Sequence, residues 1–191
     1  MASIKGTKTE KNLLASFAGE SQARNRYTYF ASVACKEGLQ QIADIFTETA
    51  ENEKEHAKRF FKFLEGGMVE ITASYPAGMI GTTAENLAAA AGGEHEEWSD
   101  LYPHAAEVAK AEGFNEIAAA FTMIAKVEKE HEARYVRLLA HLKDKMTFTA
   151  DEPVRWKCRE CGYIHEGTSA PGKCPACLHP QEYFERAAAN Y

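Results

Sequence analysis

The sequence predicts a mainly α protein: a four-helix bundle with one long crossover, followed by a small C-terminal metal domain held by four cysteines. Three observations predict it. The first part of the chain repeats itself at a shift of 75 residues, taking Glu53 onto Glu128. Helical stripes run through both copies. Four of the five cysteines fall late, as Cys158-x-x-Cys161 and Cys174-x-x-Cys177. The 191 residues allow one ordinary domain and a small one, and 45% apolar content allows a real core. A net charge of −6 argues against nucleic acid or an anionic membrane as the main partner. No apolar run approaches the roughly 20 residues of a membrane span. The opening "MASIKGTKTEKNLL" has no apolar signal core, so the expected location is the cytoplasm.

The repeat lays "KEGLQQIADIFTETAENEKEHAKRF" (36–60) on "AEGFNEIAAAFTMIAKVEKEHEARY" (111–135) without a gap, and about half the positions are identical. Tyr27 also lands on Tyr102. Each copy reads as a helical hairpin.

The first helix carries an inward stripe at Leu13, Phe17, Glu20, Arg24, Tyr27, Ala31 and Ala34. "KEG" at 36–38 is a short turn, so the second helix returns antiparallel, with Ile42, Phe46, Thr49, Glu53, His56, Phe60 and Phe63 inward. Gly66–Gly67 stop it. "ASYPAGMIG" (73–81) is the crossover, and Thr82-Thr83-Ala84-Glu85 is a capping box for the third helix. That helix turns Leu87, Ala90, Glu94, Glu97 and Leu101 inward, and Gly92, Gly93 and Pro103 predict a kink. "AEG" at 111–113 leads into the fourth helix, with Ile117, Phe121, Ile124, Glu128, His131, Tyr135 and Leu138 inward. A long connection between two hairpins is the ferritin-like form of the bundle. The expected boundaries are 1–146 for the bundle, 147–154 for a linker and 155–191 for the cysteine domain.

Every seam carries acids or histidine where a bundle wants leucine. A single Glu-x-x-His on a helix is usually a solvated face. Here Glu53-x-x-His56 and Glu128-x-x-His131 recur at duplicated positions, and Glu20, Glu94 and Glu97 join them. Five ionised acids in a bundle core would cost many kcal/mol unless neutralised, and two metal ions remove that cost. The spacing matches the di-metal carboxylate bundles: one Glu from each of two helices and Glu-x-x-His from each of the others. Oxygen and imidazole donors suit iron or manganese, and zinc is also accommodated. Glu53 and Glu128 are the natural bridges. Glu97 is surplus, which suggests a use. Two ferric ions carry six positive charges against five carboxylates. Two ferrous ions carry four, so releasing Glu97 and binding the neutral His56 keeps the site near neutrality in both states.

In "WKCRECGYIHEGTSAPGKCPACLHPQEYFE" the two C-x-x-C turns, twelve residues apart, give a tetrahedral all-sulfur site. By spacing alone a zinc ribbon is the commoner answer. Gly162-Tyr163 after the second cysteine, Pro175 inside the second turn, and cover from Trp156, Tyr163 and Phe184 favour iron. These knuckles resemble rubredoxin.

A ferritin-like bundle with "AGESQARNRY" (18–27), "ENEKEH", "GGEHEEW" (92–98) and "VEKEH", followed by a rubredoxin-like module, resembles the rubrerythrin family along essentially the whole chain. The resemblance implies Glu20, Glu53, His56, Glu94, Glu97, Glu128 and His131 as ligands of two irons, and Cys158, Cys161, Cys174 and Cys177 as ligands of one. It also favours the exchange between Glu97 and His56, and it places Tyr27 and Tyr102 against ligand glutamates, so that Glu97, His56, Tyr27 and Tyr102 form the expected catalytic set. Cys35 matches no ligand position and reads as a small core or surface residue.

The implied activity is reduction of hydrogen peroxide to water, with electrons entering through the rubredoxin-like iron. Their source would be a separate NAD(P)H-dependent reductase or a rubredoxin, since the chain has no G-x-G-x-x-G of its own. His131 precedes the helix end by about eleven residues, roughly 16 Å. A head-to-tail homodimer would shorten the electron path; a linker that folds back would do so within one chain. Two other classes remain for test: a ferroxidase of the iron-storage type, and an electron carrier whose di-metal site is structural.

Overall fold

The computed structural model describes residues 2–188. Helices α1 (Lys8–Lys36) and α2 (Gln40–Phe61) form the first antiparallel hairpin. The crossover then leads to α3 (Thr83–Glu96), which runs through a π turn (Glu97–Leu101) into α4 (Tyr102–Ala111) and returns as α5 (Asn115–Lys143). Thr82 and Glu85 form the expected capping box.

The two hairpin turns are twins. After α1, Gly38 takes φ +75°, its N–H donates to Cys35 and the Leu39 N–H donates to Ala34. After α4, Gly113 takes φ +89°, with Gly113 donating to Lys110 and Phe114 to Ala109. Both are left-handed caps that satisfy the last helical carbonyls, and only glycine takes that backbone without a Cβ penalty.

Two seam expectations need correction. On α1 the buried residue is Ala23, while Arg24 is exposed and pairs with Glu51 at 3.3 Å. Both lie near the seam, and the charge goes to water. On the third rod, Gly92 and Gly93 stay helical, and the break is the π turn after them. The π turn adds one residue to the helical phase, so Leu101 is exposed and Tyr102 is buried in its place. Pro103 sits in the first turn of α4, where a missing N–H is tolerated.

The core has two apolar halves with the acids between them. One gathers Tyr27, Phe30, Phe46 and Tyr135, and the other Leu13, Phe60, Tyr102 and Phe121. The C-terminal domain is a three-stranded antiparallel sheet of order β2-β1-β3, with β1 (Thr149–Cys158), β2 (Ile164–Ser169) and β3 (Phe184–Arg186). Its first strand begins inside the segment expected as linker. Trp156 and Phe184 are buried in its core and Tyr163 is half-buried. The domain rests on the start of α2: Arg159 donates to Asp44, and Glu182 lies over Gly38. Phe148 packs against both cores.

Candidate metal centres

Four rods deliver the predicted acids to one level of the bundle. Glu20 comes from α1, Glu53 and His56 from α2, Glu94 from α3, and Glu128 and His131 from α5. Glu20, Glu53, Glu94 and Glu128 are at most 1% exposed. Their donor atoms fall into two groups of four, each within 4.8 Å: Glu20, Glu53, His56, Glu128, and Glu53, Glu94, Glu128, His131. Glu53 and Glu128 belong to both, which is the geometry of bridging carboxylates.

The two halves mirror each other. His56 Nδ1 lies 2.9 Å from Glu53 Oε2, 2.9 Å from Glu128 Oε1 and 3.8 Å from Glu20 Oε1. His131 Nδ1 lies 2.9 Å from Glu128 Oε2, 3.2 Å from Glu53 Oε1 and 3.7 Å from Glu94 Oε2. The tyrosines cross over: Tyr27 donates to Glu94 at 2.5 Å, and Tyr102 donates to Glu20 at 2.5 Å. Each terminal glutamate is thus held by the hairpin it does not belong to.

The electrostatics of the polypeptide alone are unfavourable. Burial raises the Glu20 carboxyl well above its ordinary value, and Glu53, Glu128 and Glu97 add to the rise. Burial lifts Glu94 to about 8 against the pull of His131. Burial would also raise Glu53, but His131 and His56 hold it down at about 2. Burial disfavours both imidazolium ions, yet the facing Glu128 and Glu53 carry His56 up to about 9 and His131 to about 12. Protons are here doing the neutralising that a pair of cations would do better.

The donor set fits such a pair. Glu20 Oε2, Glu53 Oε1, Glu94 Oε2, both Glu128 oxygens and His131 Nδ1 are fully buried and make no hydrogen bond. Six buried donor atoms without a hydrogen-bond partner converge on one interior, and a pair of cations would engage all of them at once.

Glu97 stands apart. It lies on the π turn, is partly buried, belongs to neither donor group, and has no hydrogen-bond or ion-pair partner among the described residues. It lines a cavity of about 610 Å³ between the crossover, α1 and the π turn.

In the C-terminal domain the four sulfurs lie within 4.8 Å of one another and none is in a disulfide. Cys158 and Cys177 are 3.7 Å apart, and Cys161 and Cys174 are 3.6 Å apart. A tetrahedral site with metal–sulfur bonds of about 2.3 Å has edges of about 3.8 Å, so the cage is already sized for one ion. His179 Nδ1 approaches Cys177 Sγ at 3.4 Å. Cys35 is exposed and belongs to neither donor set.

Three residues near the centres escape pattern reading. Tyr135 is a seam residue whose buried hydroxyl has no partner. Its ring sits 5.6 Å from that of Tyr27, and only the repeat, which sets it on Phe60, hints at the added oxygen. Arg26 follows no stripe. His179 is signalled only by its place two residues after a cysteine.

The profile of the family described as Rubrerythrin matches residues 11–139, and that of the rubrerythrin rubredoxin-like domain matches residues 156–185. A rubrerythrin of Porphyromonas gingivalis is 67% identical over 189 residues, covering 99% of this chain and 94% of its own. A rubrerythrin of Nitratidesulfovibrio vulgaris is 53% identical over 191 residues, covering 100% of both chains. Among solved structures, fully reduced, all-ferrous nigerythrin superposes with a TM-score of 0.63 at 31% identity, covering 97% of this chain and 92% of that one.

Proposed function

The chain belongs to the rubrerythrin family, and from that premise we propose that it is a non-haem di-iron peroxidase that reduces hydrogen peroxide to two water molecules. The observation that carries the proposal is the pair of four-donor groups sharing Glu53 and Glu128, beside a preformed four-thiolate cage in the same chain. The family's cofactors, a di-iron centre and one rubredoxin-type iron, fit these two donor sets. The bundle (residues 1–146) is then the catalytic unit, and residues 155–191 are the electron inlet, joined by 147–154.

Glu53 and Glu128 would bridge the two ions, Glu20 and His56 would complete one end, and Glu94 and His131 the other. When bound, the iron pair supplies the two electrons and the Lewis-acid contact that O–O cleavage needs. The polypeptide does the rest. Tyr27 and Tyr102 fix the terminal glutamates Glu94 and Glu20, so these two ligands hold their places as charge changes. Apolar layers above and below keep bulk water out. Peroxide and two electrons require two protons per turnover. Glu97, which lines the cavity and lies outside both donor groups, would relay them. Glu97 and His56 would exchange as ligands between the oxidised and reduced states. In support, His56 sits inside a donor group while Glu97 lies outside both.

Electrons would reach the four-thiolate iron from a separate NAD(P)H-dependent reductase or a rubredoxin in the cytoplasm. No described helix is long and apolar enough to cross a membrane. The onward route has two forms. The chain's own cysteine domain contacts Asp44, nine residues or roughly 14 Å of helix before Glu53. A head-to-tail homodimer would bring a partner's domain to the groove between α2 and α5 that reaches His131. Mixed dimers settle the choice: one chain lacking Cys174 and the other lacking Glu128 regain turnover together only if electrons cross between chains.

Stopped-flow mixing of the reduced protein with hydrogen peroxide and with O2 tests the function. Rapid reoxidation by peroxide, with two electrons consumed per peroxide, is expected. Fast O2 consumption with accumulation of many irons per chain would indicate a ferroxidase instead. No reaction with peroxide would leave only an electron carrier with a structural metal pair.

A further inference from the structure

Arg26 and Glu97 form an unmatched pair of opposite charges on one cavity. The cavity is roofed by the crossover, where Tyr75 donates to the Ala15 carbonyl at 2.9 Å, and Arg26, Gly93 and Glu97 are in its wall. Arg26 Nη1 is fully buried and makes no hydrogen bond. No carboxylate lies within 4.0 Å of its guanidinium among the described residues; Arg186, also half-buried and without a carboxylate, at least donates to the Thr149 carbonyl at 3.1 Å, and Arg137 and Arg155 are exposed to water. A half-buried guanidinium without a partner is unfavourable, so its neighbourhood must offer one in some state of the protein. Glu97, equally unpaired, is the carboxylate on that wall that the metals can release. Burial and the nearby Glu94, Glu128 and Glu53 push its carboxyl well above the ordinary range, and Arg26 is the charge that opposes them. Gly93, in the same wall, has nothing within 4 Å of where a Cβ would stand, so the cavity is open at that point. Glu96 and Asp100 also line the cavity but are exposed and can hydrate freely.

We propose that Arg26 is a positioning residue for Glu97: its guanidinium receives the Glu97 carboxylate when the di-iron centre is reduced and gives it back on reoxidation. The proposal rests on reading Glu97 as the exchanging ligand. With the iron pair bound, Glu97 would be the carboxylate given up on reduction, leaving as an anion with both electrons of its bond, and the His56 Nδ1 lone pair would take the freed position. The planar guanidinium fork offers the displaced carboxylate two parallel N–H donors, which a lysine ammonium does not. Arg26 thereby stabilises the reduced arrangement over the oxidised one.

The test uses the full chain loaded with iron, in the wild type and in Arg26→Gln and Arg26→Lys. The di-iron couple is titrated potentiometrically, with the four-thiolate iron of the same chain as internal reference. Arg26→Gln is expected to lower the ratio of reduced to oxidised di-iron about tenfold at a fixed potential, about 30 mV for a two-electron couple. Arg26→Lys should restore part of it, and the four-thiolate iron should not move. A crystal structure of the reduced wild type should show Glu97 against Arg26. An unchanged di-iron potential in Arg26→Gln overturns the proposal, as does an equal shift at both centres or a reduced structure with Glu97 away from Arg26. If those results come with normal peroxide turnover, the peroxidase reading survives without Arg26. If the wild type shows no di-iron couple, both readings fall together. Should Arg26→Gln not fold, the Arg26→Lys titration and the reduced wild-type structure still decide.

Discussion

Replacing Tyr102 by phenylalanine isolates one hydrogen bond of the metal centre. The ring stays: Tyr102 is 2% exposed and packs against Phe60 and Phe121 with centroids 5.6 and 5.8 Å away, contacts that phenylalanine keeps. What is lost is the donor to Glu20 Oε1. A hydrogen bond to a charged acceptor contributes about 1.5–3 kcal/mol, so the metal-loaded protein should lose about 2 kcal/mol. At 2–4 °C per kcal/mol for a chain of this size, Tm should fall roughly 4–8 °C. The same loss should appear as roughly 10–100-fold weaker binding of the metal that Glu20 would hold. The metal-free protein should respond less. There Glu20 is already pushed toward its protonated form by burial, and Tyr102 opposes that shift, so removing the hydroxyl lets the acid take up a proton rather than remain an unsupported anion. Tyr27→Phe should behave alike through Glu94, because the two tyrosine–glutamate bonds are related by the repeat. Thermal unfolding of loaded and metal-stripped protein, with a metal titration of each variant, measures all four quantities. Equal losses in loaded and stripped protein, or unchanged metal affinity, would refute the view that the tyrosines act through ligand carboxylates.

Metal should reverse the pH dependence of stability. In the stripped protein the raised values of Glu94, from 4.5 to about 8, and His56, from 6.5 to about 9, mean that the folded state holds more protons than the unfolded one, through Glu94 from about pH 4.5 to 8 and through His56 from about pH 6.5 to 9. Their stabilisation is present at lower pH and lost as pH rises through those windows. In the loaded protein the donors are deprotonated, so stability should instead rise toward pH 7 as unfolded histidines lose their protons; urea unfolding at several pH values reads both slopes. The twin glycines offer a second comparison. Gly38→Ala and Gly113→Ala should each cost about 1–2 kcal/mol for the left-handed backbone. Only Gly38→Ala should also loosen the C-terminal domain, because its Cβ would stand 2.8 Å from the Glu182 side chain, and limited proteolysis near residue 148 reports that. Finally, stripping the four-thiolate site should unfold the C-terminal domain while leaving the bundle helical, since only five of its described residues form a buried core. Trp156, buried and donating to the Gly167 carbonyl, gives the near-UV signal to follow.

The bundle was legible because its repeat and its periodicity agree. An acid that interrupts one stripe is a misread phase; acids that interrupt four stripes at related positions need a common cause, and the structure brings six of the seven together. Side-chain choices within a seam were less legible. Ala23 and Arg24 are adjacent near the same stripe, and periodicity alone does not say which faces in; the cost of burying a charge does. Arg26 lies beyond what such patterns reach, since its meaning depends on a cavity made by the crossover, a segment without periodicity.

The π turn shows both what spacing reveals and where it misleads. Glu20 precedes Tyr27 by seven residues, but Glu94 precedes Tyr102 by eight. Seven residues are close to two helical turns, so Glu20 and Tyr27 share a face of a regular helix. An eighth residue in a regular helix would swing Tyr102 about 100° off that face and away from Glu20. The π turn at Glu97–Leu101 absorbs the extra residue, returning Tyr102 to the core and turning Leu101 out. The repeat alignment of Tyr27 with Tyr102 therefore pointed to the right residue, while the helical stripe pointed to its neighbour. The asymmetry of the site has a separate origin in the sequence. Glu97 follows Glu94 by three residues, and the residue three after Glu20 is Ala23, which is buried in the regular α1 helix. The second hairpin therefore carries a carboxylate where the first carries a methyl group, and the π turn that begins at Glu97 sets it outside the ligand groups and beside the cavity.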